Sequence, residues 1–258
     1  MNQALEFDHL GSENLREAPI LDHLEELRWR LVWALGLWAI GSGVAYTFRE
    51  QIMFFLRGPL EGFIKEGHKV EVVTLTVTEP LTTVFQISMF GGFVLALPFI
   101  AYQIWAFVSP GLTRAERRWG APFVLSLGLS FGIGAAFAYF VILPYAVPFL
   151  LGFLPGTTAF LSVGEYITQM VSYLAIFGIV FELPIVMFLL TKVGLVNHTL
   201  LSRIRKPALM VIVLASAIIT PTADPINLAL MAVPLYFLFE IGILLSRLAG
   251  RGATAEVE

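Results

Sequence analysis

Long uncharged stretches are the feature of this sequence that most restricts its fold. Residues 119–164 include 46 consecutive positions without Asp, Glu, Lys or Arg, and residues 80–113 include 34. A helix crosses a hydrocarbon core of about 30 Å with about 20 residues, so each stretch is long enough to span a bilayer. Apolar residues make up 57% of the chain and charged residues 14%, against about 45–50% and about 25% in soluble domains. The sequence therefore predicts an all-α polytopic membrane protein.

Six transmembrane helices are expected. The spans are placed at about residues 31–48, 81–108, 121–151, 166–191, 207–219 and 225–246, between a polar N-terminal segment (1–30) and a tail (247–258), with one long outer loop at 49–80. The fifth span has only 13 residues, which is about 20 Å of helix. The short fifth and sixth spans therefore form either a re-entrant hairpin or complete crossings of a locally thinned bilayer.

Lysine and arginine are distributed unevenly among the predicted connections. Of the 16 such residues, 12 fall on one side of the membrane and 4 on the other, and the positive-inside bias then predicts that both termini are cytoplasmic. The acidic segment before the first span is unlike a cleavable signal peptide. In the outer loop, apolar residues recur at helical spacing and residues 69–77 alternate like a strand. The helical positions are Ile52, Leu56, Leu60 and Phe63. This pattern predicts an amphipathic helix covering the outer surface.

Enzyme chemistry finds little support. Residues 128–132 match the G-x-S-x-G pattern of serine nucleophiles, but a serine needs a neighbouring base, and all four histidines fall in predicted connections. Small residues four apart are better explained by close helix packing. The chain has no cysteine, no Gly-Lys dipeptide of a phosphate-binding loop, and no aspartate after Asp22 except Asp224. We therefore expect no catalytic residue, no metal site and no cofactor.

Two glutamates occur within predicted spans. Glu182 lies ten residues before Lys192, about 15 Å into the membrane, where an ionised carboxylate is costly unless it is hydrated, partnered or protonated. Pro184 cannot donate a backbone hydrogen bond, so the fourth span is predicted to have a kinked, polar notch beside Glu182. Glu240 lies seven residues before Arg247. Snorkelling of its side chain or pairing with another helix therefore explains its position at least as well as a functional role does.

Acidic residues also mark the predicted cytoplasmic side. Asp22, Glu25 and Glu26 share one face of a helix that leads into the first span, and Glu116 lies between the second and third spans. These residue types are equally typical of helix capping and of an i, i+4 pair between Glu26 and Arg30. Residue chemistry alone leaves capping and ligand binding both open.

A series of motifs resembles one membrane-protein family. In order, they are His-Leu-x-Glu-Leu-Arg-x-Arg-Leu at 23–31, Tyr-Gln-x-Trp-x-Phe at 102–107, Pro-Gly-Leu at 110–112, Glu-Arg-Arg at 116–118, Phe-Glu-x-Pro at 181–184, Thr-Pro at 220–221 with Asp224, Pro-Leu-Tyr at 234–236 and Phe-Glu at 239–240. Together they resemble the TatC family, the polytopic core of the twin-arginine protein translocase, over about residues 19–247. The chain departs from the family in a longer acidic N-terminus and in Leu228, where several relatives carry glutamine.

The resemblance implies a function without chemistry. Family members bind signal peptides with two adjacent arginines at the cytoplasmic face of a bacterial inner membrane, and they recruit single-span TatA and TatB subunits in a multi-subunit complex. By motif, Glu26 and Glu116 are the twin-arginine contacts, and two carboxylates suit two guanidiniums because each pairing is bidentate and charge-assisted. The resemblance further implies recognition or assembly roles for Arg28, Pro59, Phe107 and Arg118, and partner-subunit or outer-loop roles for Thr220 and Asp224. Arg28 and Arg118 are expected to hold the carboxylates when no peptide is bound. It also implies a cup-like bundle with Glu182 on its concave face.

Three hypotheses follow for how the chain works. The first is translocation driven by the proton-motive force, with Glu182 as a proton-responsive group, because the sequence has no nucleotide-binding motif. The second is an ion-coupled secondary transporter with a midplane site at Glu182, built from helices broken at Pro98, Pro144 and Pro184; the lack of paired repeats weighs against it. The third is a passive membrane scaffold for partner helices.

Overall fold

The computed structural model describes residues 3–65, 70–111, 117, 120–151, 159–220 and 224–254. Its helices are α1 (Gln3–Thr47), α2 (Arg49–Lys65), α3 (Glu79–Val108), α4 (Gly120–Phe137), α5 (Leu143–Leu151), α6 (Val163–Val180), α7 (Leu183–Lys192), α8 (His198–Arg203), α9 (Arg205–Ile219) and α10 (Pro225–Thr254). A 3-10 turn at Ser109–Gly111 follows α3, a π-helical turn at Ala138–Ile142 joins α4 to α5, and the strands are β1 (Val70–Val73) and β2 (Ala159–Ser162). The expected helical fold is confirmed.

Within the described ranges, four helical stretches are long and apolar enough to cross a membrane. They are Glu79–Val108, Gly120–Phe149, Val163–Lys192 and Pro225–Ala249. A fifth results if His23–Thr47 and Arg49–Gly62, which meet at a bend of 79°, count as one broken span. Helix α9 has only 15 residues, about 22 Å of helix. The protein is therefore a polytopic membrane protein, and the count of six spans stays a prediction.

Helix α2 confirms the predicted amphipathic helix after the first span. Leu56 and Leu60 are buried, with exposed fractions of 1% and 2%, while the side chain of Phe63 lies outside the described part. Two tyrosines fix α2 to the bundle, because the hydroxyl of Tyr139 donates to the carbonyl of Phe55 (2.7 Å) and that of Tyr166 to the carbonyl of Leu56 (3.0 Å). Helix α2 thus closes one end of the bundle, here called the α2 end; the opposite end, where Glu26 lies, is called the Glu26 end.

A two-stranded parallel sheet lies beside α2. Strand β1 confirms a strand within the predicted segment 69–77 but only over Val70–Val73, whereas β2 was not predicted because it lies within the longest uncharged stretch. The carboxylate of Glu79 connects the sheet to the helices. It accepts hydrogen bonds from the backbone N–H groups of Leu75 (2.6 Å) and Gly164 (2.6 Å) and from the hydroxyl of Ser162 (2.5 Å). One buried carboxylate therefore joins the starts of α3 and α6.

Glycines allow α1 and α3 to approach closely. A Cβ atom on Gly41 would lie 2.7 Å from the carbonyl oxygen of Gly92, closer than real Cβ contacts. One turn earlier, the indole N–H of Trp38 donates to the carbonyl of Met89 at 2.8 Å. These contacts hold α1 against α3.

Close packing between α4 and α6 uses other glycines than the sequence suggested. Gly134 lies against the backbone of Phe177, and Gly178 lies against the ring of Phe131. By contrast, a Cβ atom on Gly128 or Gly132 would contact nothing within 4 Å. The expectation that these two glycines serve close helix packing is therefore wrong within the described chain, because no described helix covers their face.

The fourth span is interrupted beside Pro184, where a kink was predicted, but not every proline breaks its helix. Helix α6 ends at Val180, and α7 begins at Leu183 with Pro184 in its first turn. Helix α3, however, continues through Pro98 from Glu79 to Val108. A single proline removes only one hydrogen bond of a long helix, and the packed neighbours retain the rest. The break at Pro98 on which the transporter hypothesis relied is therefore absent from α3.

Candidate functional site

A charged cluster lies where α1 enters the membrane-spanning part. The Oε1 atom of Glu26 accepts hydrogen bonds from Nε (2.9 Å) and a terminal nitrogen (2.5 Å) of Arg30, and its Oε2 atom lies 3.5 Å from Nδ1 of His23. The hydrogen bond from Arg30 lowers the pKa of Glu26 below its ordinary 4.5. The carboxylate therefore stays ionised at neutral pH, five residues before the apolar stretch begins.

The end of α3 completes this cluster. The ring of Phe107 stacks on the ring of His23, with centroids 4.3 Å apart and planes inclined by 11°. Four residues earlier on the same face of α3, the amide oxygen of Gln103 accepts a hydrogen bond from Arg30 at 3.4 Å. The structure thus brings Glu26 and Phe107 together through His23. The motifs contain His23 and Gln103, but their spacing within α1 and α3 carries no signal for a contact between the two helices.

The other residues expected at this site have different positions. Glu116 and Arg118 lie outside the described residues. Arg28 is exposed and takes part in none of the ion pairs within the described ranges, so Arg30, rather than Arg28, holds Glu26. Pro59 lies in α2, whereas Glu26 is separated from the end of α1 by 21 residues, about 32 Å of helix. The structure does not bring Pro59 to the Glu26 cluster.

Glu182 lies at the break between α6 and α7. The hydroxyl of Ser130 on α4 donates to the carbonyl of Phe181 at 2.7 Å, which ties the break to the neighbouring helix. Both carboxylate oxygens of Glu182 are buried and have no hydrogen-bond partner in the described part of the chain. An ionised carboxylate in this position is costly, so Glu182 requires a proton, water or a partner when the protein is in the bilayer.

Polar residues lie at the end of α9 and at the start of α10. Thr220 is buried, and its hydroxyl donates to the carbonyl of Ser216 at 2.7 Å. Asp224 accepts hydrogen bonds from the backbone N–H (2.7 Å) and the side-chain amide (3.1 Å) of Asn227. Asp224 thereby caps the start of α10. Asn227, which sequence reasoning missed, is buried with an exposed fraction of 4%.

Glu240 pairs helices α9 and α10. Its Oε1 and Oε2 atoms accept hydrogen bonds from the guanidinium of Arg205 on α9, both at 2.9 Å, and Oε1 also accepts from the hydroxyl of Tyr236 at 2.9 Å. Of the two interpretations left open by the sequence, the structure supports helix pairing. This contact fixes α9 to α10 with a bidentate, charge-assisted geometry.

Fold and geometry define the class of this molecule: a polytopic helical membrane protein in which one carboxylate, that of Glu26 on α1, is held ionised by Arg30 and lies beside the His23–Phe107 stack. The family model described as Sec-independent protein translocase protein (TatC) matches residues 22–234. The TatC of Deinococcus radiodurans is 46% identical over 235 residues, which cover 90% of this chain and 87% of that protein. The TatC of Aquifex aeolicus is 41% identical over 237 residues, which cover 90% of this chain and 96% of that protein. The chain belongs to the TatC family of Sec-independent protein translocase proteins.

A solved structure agrees with this assignment. A crystal structure of the twin arginine translocase receptor TatC superposes with a TM-score of 0.78 at 40% identity. The superposition covers 88% of this chain and 99% of the chain in the crystal structure. The resemblance read from the motifs is therefore confirmed over nearly the whole length.

Proposed function

We propose that the Glu26 cluster is the receptor site for signal peptides with two adjacent arginines, carried by folded proteins. The observation that carries the proposal is the ionised carboxylate of Glu26, which lies half-exposed beside the His23–Phe107 stack. Both hydrogen bonds from Arg30 end on Oε1, while Oε2 faces His23 at 3.5 Å. An incoming guanidinium can pair with Oε2, or replace Arg30, with a bidentate geometry that lysine cannot reproduce.

The second arginine needs a second carboxylate. By the family motif, Glu116 supplies it, with Arg118 beside it. The ring of Phe107, which stacks on His23 beside Glu26, offers an aromatic face of the kind that attracts a guanidinium. Recognition in this scheme consists of two charge-assisted contacts and one stacking surface, and no bond is made or broken.

The site also implies an orientation, an energy source and partners. With Glu26 receiving cargo, both termini face the cytoplasm of a bacterial inner membrane, and TatA- and TatB-type subunits assemble around the bundle with further copies of this chain. The transmembrane potential supplies about 2.3 kcal/mol per charge per 100 mV, which suits a chain whose sequence has no nucleotide-binding motif. Glu182, a buried carboxylate without a described partner, is then the residue that responds to protons or to an inserted helix.

Binding of a labelled twin-arginine peptide to the purified protein tests the receptor site. Wild type should bind the Arg-Arg peptide and bind a Lys-Lys version much more weakly. Glu26→Ala and Glu116→Ala should each weaken Arg-Arg binding by about tenfold or more, since hydrogen bonds to charged groups are worth about 1.5–3 kcal/mol. Glu25→Ala, an exposed acid on the same helix, is the matched control and should bind normally. Full affinity in both Glu26→Ala and Glu116→Ala would show that the carboxylate assignment is wrong.

The role of Glu182 needs a transport measurement. Export of a folded cargo into vesicles at a clamped potential should fall in Glu182→Ala, while Glu182→Gln, which keeps the shape, separates the need for a carboxylate from the need for a polar group. Unchanged transport in both variants would remove Glu182 from the mechanism.

A further inference from the structure

An apolar groove runs between α3 and α4 on the lipid-facing surface. It has a volume of about 740 Å³, within the range of about 300–1,000 Å³ typical of small-molecule pockets. Its walls include Leu97 and Trp105 of α3, and its floor includes Gly128 and Gly132 of α4. Both glycines are open, because a Cβ atom on either would contact nothing within 4 Å. The two glycines leave the groove open along this part of α4.

The groove has the length of one membrane leaflet. From Gly120 to Gly132, both of which line it, α4 rises by about 18 Å, and half of a 30 Å hydrocarbon core is about 15 Å. Seven residues beyond Gly132, on the same face of the helix, the ring of Tyr139 stacks on Phe55 of α2 with centroids 4.3 Å apart. Helix α2 therefore covers this face beyond the groove. The open space suits an occupant confined to one leaflet, whereas a crossing helix would have to displace α2.

The mouth of the groove carries a positive charge. The guanidinium of Arg117 lines it and donates to two carbonyl oxygens, those of Ser109 (2.9 Å) and Pro110 (3.2 Å). Carbonyls orient the guanidinium but do not neutralise it, and none of the ion pairs in the described ranges involves Arg117. Tyr102 also lines the groove near this end, as expected for a residue at the membrane–water interface.

We propose that this groove binds an anionic phospholipid, with one acyl chain along Gly128 and Gly132 and the phosphate beside Arg117. The apolar walls match the chain, the single-leaflet length matches its reach, and the arginine at the interface matches the charge of the headgroup. The bound lipid fills space that the protein itself leaves empty against α4.

Native mass spectrometry of the purified full-length protein tests this site. The probes are phosphatidylglycerol and phosphatidylcholine with identical acyl chains, added at equal concentration. Wild type should retain phosphatidylglycerol in preference to phosphatidylcholine. Arg117→Gln should reduce phosphatidylglycerol binding by about fivefold and leave phosphatidylcholine unchanged. Lys206→Gln, which removes an exposed lysine of α9, is the matched control and should retain the preference.

A larger side chain in the groove tests the proposed position of the acyl chain along Gly128 and Gly132. Gly128→Leu should abolish the bound adduct of both lipids, whereas Gly43→Leu, which fills an equally open position on α1, should not. Phosphatidylglycerol with a photoreactive acyl chain, used on wild type, should label the peptides that contain Leu97 and Gly132, so the site is tested even if a variant fails to fold. Equal lipid binding in wild type, Arg117→Gln and Gly128→Leu would overturn the proposal. A change of oligomeric state in Gly128→Leu with unchanged lipid binding would also overturn it, because a packed helix would then be the occupant.

Discussion

The contact between Gly41 and Gly92 predicts opposite effects for the same substitution at two positions of α1. In Gly41→Ala, the new Cβ would lie 2.7 Å from the carbonyl oxygen of Gly92 and 3.4 Å from its Cα, so α1 and α3 have to separate. In Gly43→Ala, two residues further along the same helix, the new Cβ would meet nothing within 4 Å.

The magnitude follows from two terms. Replacing glycine by alanine favours a helix by about 1 kcal/mol at both positions. Overpacking at Gly41 costs about 1–3 kcal/mol, because the atoms of Gly92 that the new Cβ would meet belong to the backbone and cannot rotate away. We therefore expect Gly43→Ala to be more stable than Gly41→Ala by about 2 kcal/mol, which is about 4–8 °C in unfolding temperature for a chain of this size.

Thermal unfolding of the two variants in the same detergent, followed by tryptophan fluorescence, measures this difference. Gly41→Ala should also weaken binding of the twin-arginine peptide, because separation of α1 from α3 disturbs the His23–Phe107 stack. If Gly41→Ala unfolds at the same temperature as Gly43→Ala or higher, the close approach of α1 and α3 is not as described, and the reasoning fails.

Three further outcomes are expected. Glu240→Gln and Arg205→Gln should each lower the unfolding temperature. The double variant should lower it by no more than the larger of the two single decreases, because all three variants remove the same ion pair between Arg205 and Glu240. Additive decreases would contradict this. The pKa of Glu26 is lowered below 4.5, so its ionised form persists above pH 4.5 and is lost as the pH falls through the lowered pKa. The part of the peptide affinity that depends on Glu26 should therefore be lost only below pH 4.5, and an acid loss of affinity that persists unchanged in Glu26→Ala would contradict the assignment. Glu79→Ala should accelerate hydrogen exchange of Val70–Val73, and unchanged exchange would show that this carboxylate does not hold the sheet.

Local sequence patterns determined much of this protein. Apolar runs located the long membrane helices because the cost of placing charge in lipid depends on each stretch alone. The pairing of Glu26 with Arg30 follows from one helical turn, and the break beside Glu182 follows from the missing N–H of Pro184. These features depend on neighbours within a few residues, so the amino-acid order is sufficient to predict them.

Packing between distant segments determines which of several chemically identical residues have partners. Gly41 contacts another helix while Gly128 and Gly132 face an open groove, although all three are glycines in apolar helices. The stack of His23 on Phe107 joins residues 84 positions apart, and the strand pairing and the contacts of Glu79 likewise join distant segments. The physical reason is that helical periodicity places a residue on a face, but only the packing of whole helices determines what lies opposite that face.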